Sequence, residues 1–170
     1  MKTEHVIVVP FNANWKNEFL KIQFELENIL GSLALSVEHI GSTAIKNLAA
    51  KPIIDIDIVI KDNSVLNDVI KKLEINGYIF EGDLGIKDRF AFRYENKPQF
   101  MLHHLYVCPK NSAELKKHLA FRDYLKTHAD DVIEYSKIKI EGANLYPNDI
   151  DKYIEHKSIF IKKIYNKMCL

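Results

Sequence analysis

Two aspartates, Asp55 and Asp57, stand two residues apart in the run Ile53-Ile54-Asp55-Ile56-Asp57-Ile58-Val59-Ile60. This alternation predicts a strand that sends Ile54, Ile56, Ile58 and Ile60 to one face and both carboxylates, with Val59, to the other. Carboxylates roughly 7 Å apart along a strand repel one another and resist desolvation unless positive charge lies between them. A divalent cation meets that need. Oxygen ligands suit Mg2+ or Mn2+, which complete their shells with waters and substrate phosphates. Just upstream, the apolar-rich segment 35–40 runs into Gly41-Ser42-Thr43. A strand ending in that turn, followed by a short helix over residues 43–48, would point amides and hydroxyls at a phosphate. Lys51 can reach the same anion or remain a solvated lysine beside Pro52.

A second group of polar residues falls on a predicted hairpin, residues 89–94 and 99–107, joined by Glu95-Asn96-Lys97-Pro98. On its first arm Phe90, Phe92 and Tyr94 share a face, which leaves Arg89 and Arg93 together on the other. Their planar forks suit phosphate or carboxylate recognition, and a cross-strand salt bridge fits them equally well. On the second arm Met101, Leu105 and Val107 mark the core side, so Leu102, His104 and Tyr106 face away and His103 turns inward. An imidazole at His104 could accept a proton from a substrate hydroxyl, take a position on a metal, or bond to a neighbour on the sheet. His39 shares a face with Leu35 and Val37 and reads as a satisfied core histidine.

The elements that must hold these residues are legible in outline. Trp15, Phe19, Ile22, Leu26 and Ile29 form one helical stripe over residues 14–30, with Asn12 or Asn14 as cap and Gly31 as stop. Asn63 or Ser64 caps a second helix, with Val65, Leu66, Val69, Ile70 and Leu73 on its buried side, that ends at Asn76-Gly77. Residues 78–81 read as a strand, and Val6 to Val9 as an edge strand or extended arm. After Pro109 the chain turns helical. Asn111 or Ser112 caps a segment with Leu115, His118, Leu119, Arg122 and Leu125, residues 129–139 continue, and a last helix runs from about Asp149 to Met168.

Composition narrows the classes. The chain has 170 residues, 47% of them hydrophobic and 28% charged, which fits one domain over residues 1–170. A formal charge of +1 and a pI near 7.8 give no electrostatic reason to expect nucleic acid as a main partner, so phosphate binding must be local. Cys108 and Cys169 lie far apart without metal-type spacing and read as reduced thiols. The start of the chain lacks the pattern of a signal peptide, and no stretch approaches the roughly 20 apolar residues of a membrane span, so a cytoplasmic location is expected. No Gly-x-Ser-x-Gly elbow is present, and adjacency sends His103 and His104 to opposite faces, which argues against serine-triad and zinc chemistry.

Gly41-Ser42 followed by a strand carrying Asp55-x-Asp57 resembles the nucleotidyltransferase superfamily. More narrowly, Glu38-His39-Ile40-Gly41-Ser42-Thr43-Ala44, residues 48–57, Phe121-Arg122-Asp123-Tyr124-Leu125 and residues 153–157 resemble the GrpB family of small bacterial proteins over nearly the whole chain. The resemblance implies an α+β fold, a mixed, mainly antiparallel sheet of about five strands flanked by helices with a C-terminal helical segment. It also implies that Asp55 and Asp57 bind Mg2+ or Mn2+, that Gly41, Ser42, Thr43 and Lys51 hold phosphate, and that His104 serves the acceptor. Arg122, Lys139 and Lys157 fall in the family's recurrent C-terminal motifs and would form a basic wall for a triphosphate tail. Two departures stand out. The later strand offers no third carboxylate, and Tyr106 stands where a second histidine would fall. The expected activity is transfer of a nucleotidyl group from a nucleoside triphosphate to a small acceptor, the alternatives being a non-catalytic nucleotide or metabolite sensor and a metal-dependent phosphoesterase.

Overall fold

The computed structural model describes residues 5–170, so the charged start with Lys2 and Glu4 lies outside it. Five strands follow in order: β1 (Ser36–Ile40), β2 (Ile54–Ile60), β3 (Tyr78–Gly82), β4 (Phe90–Tyr94) and β5 (His103–Pro109). They form one sheet in the order β1-β2-β5-β4-β3. Only β2 and β5 run parallel; the other neighbours are antiparallel. The strict alternation in β2 does what its period requires. Ile54, Ile56, Ile58 and Ile60 are each fully buried on one face, where burial of each side chain stabilises the fold by roughly 1.5–3 kcal/mol. That face is covered by α1 (Trp15–Leu30) and α2 (Leu66–Ile75), which add Phe19, Ile22, Leu26, Val69 and Leu73 to the same cluster.

The carboxylate face looks toward three later helices, α3 (Ala113–Lys126), α4 (Ala129–Leu145) and α5 (Ile150–Lys167). Val59, Cys108 and Leu115 seal one part of it. Val132, Tyr135, Phe160 and Ile164 of α4 and α5 pack around Ile45 and Leu48, which pins the loop between β1 and β2 to the helical layer. The result is the expected α+β architecture, a mixed and mainly antiparallel five-stranded sheet with helices on both faces.

Some local expectations change. Residues 43–48 do not form a helix; a single 3-10 turn at Ser42–Ala44 gives way to extended backbone at Ile45 and a left-handed Asn47 (φ 66°). Burial of Ile45 and Leu48 against the helical layer overrides local helix formation there. Neither Asn63 nor Ser64 caps α2: the two lie in a 3-10 turn, Asn63–Val65, that leads into it and is capped by Asp62, whose carboxylate accepts the Ser64 N–H at 2.9 Å. Residues 6–9 form an extended arm joined by one bridge, Val9 to Ala50, and by Val6 N–H donating to the Pro147 carbonyl at 2.8 Å. Ser112 and Asp149 cap α3 and α5 as side-chain acceptors. No helix among the described residues is long and apolar enough to cross a membrane.

Candidate functional site

Register builds the centre of the site. The parallel pairing of β2 with β5 sets Asp55 beside His104 and Asp57 beside Tyr106, so all four side chains share the carboxylate face. His104 Nδ1 lies 2.9 Å from Asp55 Oδ1. From the helical layer, His118 of α3 reaches down to Asp57, with Nδ1 2.7 Å from Oδ2. Each aspartate therefore has its own histidine.

The two acids differ in environment. Asp55 keeps 31% of its side chain exposed. Burial works against its charge, yet the His104 hydrogen bond and the nearby Lys157 and Lys139 outweigh that and hold its pKa below the ordinary value. Asp57 is fully buried, and its pKa is raised, first by desolvation and further by Asp55, despite the bond from His118. His118 is displaced upward too. Desolvation opposes its charged form, but Asp57 and then Glu114 more than compensate. The Asp57–His118 pair thus retains a proton more firmly than either group would alone.

Three lysines close over Asp55. A small pocket of about 50 Å³ is lined by Ser42, Lys51, Asp55, His104, Lys139 and Lys157, with Tyr153 behind them. Lys139 is only 2% exposed and donates to Ser42 Oγ at 2.5 Å. Desolvation, followed by repulsion from Lys157, holds its pKa well below the ordinary 10.5. Burial lowers Lys157 and Lys51 as well. Part of the cost of holding these cations is offset by aromatic faces, since Lys139 lies 5.1 Å from the Tyr135 ring centre and Lys157 5.4 Å from that of Tyr153. The Tyr153 hydroxyl is buried without a hydrogen-bond partner. Three ammonium groups facing one carboxylate beside an unpaired hydroxyl make a strong seat for one anionic group such as a phosphate.

Not every sequence candidate enters this pocket. Thr43 is 3% exposed; its Oγ1 donates to the Ile53 carbonyl at 3.4 Å and lies 2.9 Å from His39 Nε2, so it is a structural tie inside the turn rather than part of a phosphate cradle. Gly41 contributes backbone shape. Arg93 pairs with Glu81 and Glu95 at 3.6 and 3.2 Å, the cross-strand alternative, because the β3–β4 pairing brings Glu81 to it. Arg89 stacks over the Tyr106 ring at 4.6 Å and leaves its Nε buried without a partner. Arg122 leaves the basic wall to bond Glu38 at 2.8 Å and the His39 carbonyl at 3.2 Å, locking α3 to β1. His39 stacks on Phe19 as an interior histidine. His118 was readable from the sequence only as one polar position on the α3 stripe. The available signal was its spacing of four residues from Arg122, which puts two titratable groups in one otherwise apolar row.

Gly41 joins the two halves of the site. Its backbone (φ 69°, ψ −170°) occupies a region that only glycine adopts freely, and a Cβ there would lie 2.3 Å from Asp55 Oδ2. Gly41→Ala is therefore expected to lower stability by roughly 1–3 kcal/mol from backbone strain alone and to displace Asp55. Thermal denaturation reads the first effect. The chemical shifts of the His104 ring nitrogens at fixed pH read the second, and unchanged shifts would show that Asp55 had not moved from its contact with Nδ1.

Whether this donor set fits a divalent cation can be judged from its oxygens. Among the described residues no group of three or more His, Cys, Asp or Glu side chains converges as a metal cage. Mg2+ does not require one, because it commonly binds through one or two carboxylates together with substrate phosphates. Asp57 Oδ1 is a buried oxygen with no partner, and Asp55 Oδ2 lies on the Gly41 side of the same carboxylate row. Asp55 borders the phosphate seat and fits such an ion, and Asp57 stands two residues along the same strand face, buried beneath His118.

Comparison with known proteins agrees with this geometry at the level of fold. A family model described as GrpB protein matches residues 5–167. The UPF0157 protein YqkA of Bacillus subtilis is 32% identical over 92% of this chain, which spans only 45% of that protein's length. The glutamate-rich protein GrpB of Alkalihalophilus pseudofirmus is 35% identical, with 96% of this chain and 95% of that protein covered. Among solved structures, the conserved protein GrpB from Enterococcus faecalis superposes with a TM-score of 0.77 at 32% identity, over 94% of this chain and 99% of that one. Cid1 in complex with its short product ApU superposes with a TM-score of 0.55 at 10% identity, over 78% of this chain and 42% of that one.

Proposed function

The chain belongs to the GrpB family, and from that membership, its nucleotidyltransferase-like fold and its lysine-lined pocket, we propose that it transfers a nucleotidyl group from a nucleoside triphosphate to a small acceptor. The observation that carries this reading is the meeting of Ser42, Lys51, Lys139 and Lys157 with Asp55 and His104 in one recess. Lys139, held by Ser42, and Lys157 take phosphate oxygens. With a pocket of about 50 Å³, only the phosphate end of a nucleotide enters, and the nucleoside lies outside it. His104 is oriented through Nδ1 by Asp55. That bond directs Nε2 toward the acceptor, where it accepts the hydroxyl proton. His118 holds Asp57 in place from above.

Asp55 and Asp57 would hold Mg2+ or Mn2+, which would supply charge neutralisation at the transferring phosphate. Cid1 with its product ApU is a distant example of the fold in a nucleotide-joining protein, and its likeness extends to fold alone. A second reading is favoured by two features: Asp57 is sealed beneath His118, and among the described residues no three His, Cys, Asp or Glu side chains converge as a metal cage, which suits a protein that binds nucleotide without turning it over.

A thermal-shift screen of the four common nucleoside triphosphates, with and without Mg2+, tests binding, and pyrophosphate release across a panel of hydroxyl and carboxyl acceptors tests transfer. Stabilisation together with pyrophosphate supports the first reading. Stabilisation with no pyrophosphate supports the second, and absence of both overturns the assignment of the lysine pocket.

A further inference from the structure

A larger recess lies along the free edge of β1, between α1 and α3, and the proposed reaction does not use it. It holds about 580 Å³, within the range of small-molecule sites. The Ser42–Ala44 turn is the wall between the two cavities: Ser42 lines the lysine pocket, and Thr43 and Ala44 line this one.

Its floor is flat and apolar. The His39 ring stacks on Phe19 with centroids 4.5 Å apart and planes 10° from parallel, and Val37 and Leu20 extend the surface. Desolvation lowers the His39 pKa to about 4, so the stacked pair carries no charge at neutral pH. The rim is cationic. Lys16, Lys46 and Lys126 are exposed around it, and none forms an ion pair among the described residues. The one acid of the recess, Glu38, is already matched by Arg122 at 2.8 Å.

An open sheet edge can invite an added strand. Here the Val37 carbonyl accepts from Gln23 Nε2 at 3.5 Å and the His39 carbonyl from Arg122 Nη1 at 3.2 Å. An incoming strand would have to displace both, whereas a compact molecule can lie on the ring pair and leave them in place. Charge complementarity then sets the class of occupant, since three lysines that form no ion pair among the described residues, around an apolar floor, favour an anionic group on a planar apolar body.

We propose that the recess at the β1 edge binds a small molecule with a planar apolar body and an anionic tail, of the aryl phosphate or aryl carboxylate class. The body lies on the His39–Phe19 pair and the anion meets Lys16, Lys46 and Lys126. The site is separate from the lysine pocket and stands or falls independently of nucleotidyl transfer.

Isothermal titration calorimetry with phenyl phosphate, benzoate and neutral benzamide tests the assignment. Phenyl phosphate and benzoate are expected to bind the intact chain, with benzamide weaker by roughly tenfold or more because it lacks the charge. Lys16→Ala and Lys126→Ala should each weaken benzoate by roughly fivefold, and Leu20→Glu, at a position 45% exposed, should abolish binding without unfolding the chain. Lys139→Met should leave benzoate binding unchanged. The proposal is overturned if benzamide binds as tightly as benzoate, if Lys139→Met rather than the rim variants removes binding, or if neither anion binds at millimolar concentration. Because triphosphate binding is measured separately at the lysine pocket, either assignment can fail without the other.

Discussion

An Asp55→Asn chain is expected to release pyrophosphate about a thousandfold more slowly than the parent while binding metal-free triphosphate at least as tightly. The two effects come from the same charge. Asp55 is the single acid lining a pocket with three lysines, so neutralising it raises the positive potential that a phosphate tail meets. The same change removes the carboxylate that fixes the His104 ring through Nδ1, and with it the charge that stabilises that ring once it has taken a proton. Asparagine preserves the shape, so the fold should persist with a modest loss of stability. The sign of that loss follows from the lowered pKa of Asp55: its ionised form stabilises the fold at neutral pH, and the contribution disappears as pH falls from the ordinary carboxylate value through the lowered one. Calorimetry in the presence of a chelator measures the binding arm, and pyrophosphate release with Mg2+ measures turnover. Unchanged turnover would make Asp55 a structural acid. Weakened metal-free binding would mean that its charge organises the lysines instead of opposing the ligand.

How far the fold could be read in advance depends on the range of the cause. The β2 alternation is local and unambiguous, since a period of two with isoleucine at every second position leaves one arrangement in which all four are buried. The facing of His104 followed from the same logic on β5. Its position opposite Asp55 did not, because a parallel register is set by how β2 and β5 dock across the 40-odd residues that separate them, which no local pattern encodes. The residues 43–48 failed as a helix for a comparable reason: Ile45 and Leu48 are drawn into a cluster with α4 and α5, whose residues lie far along the chain. Lys139 and Lys157 were legible only through family motifs, and their meeting with Ser42 rests on the packing of α4 against α5 and the loop. His118 is not legible in the sequence as a site residue because one polar residue on an amphipathic stripe looks like tolerance of the surface, and only the depth of Asp57 reveals that it has a buried partner. Arg89 and Arg93 share a face, as the alternation predicts, but not a role. Face is a property of the strand, whereas partners depend on what β3 and β5 bring alongside.

Lys139→Met is expected to weaken triphosphate binding by roughly 10- to 100-fold while making the free chain as stable as the parent or more so at neutral pH. The ammonium of Lys139 is almost wholly buried, and in the free chain its single hydrogen bond, to Ser42, does not repay the loss of water. A methionine of similar length fills the same space without that penalty. Its pH signature separates this account from simple loss of packing. Because the folded chain holds Lys139 below its ordinary value of 10.5, the unfolded chain binds the proton more firmly over the interval between the two. Stability of the parent therefore rises as pH increases through that interval, with a ceiling of about 1.4 kcal/mol per pH unit for one full proton. Lys157 and Lys51 are displaced in the same direction and contribute part of the rise, so the variant should flatten the curve without abolishing it. Melting temperatures between pH 7 and 9 read this directly, below the range in which tyrosine ionisation intervenes. A triphosphate entering the parent pocket favours the charged form of Lys139, so across the pH interval in which the free chain holds that group below its ordinary value binding should take up protons, detected as a dependence of the calorimetric heat on the ionisation enthalpy of the buffer. The variant should lose that dependence together with the affinity. If affinity falls while proton uptake persists, the proton belongs to another group of the pocket and Lys139 serves only as a steric support for Ser42.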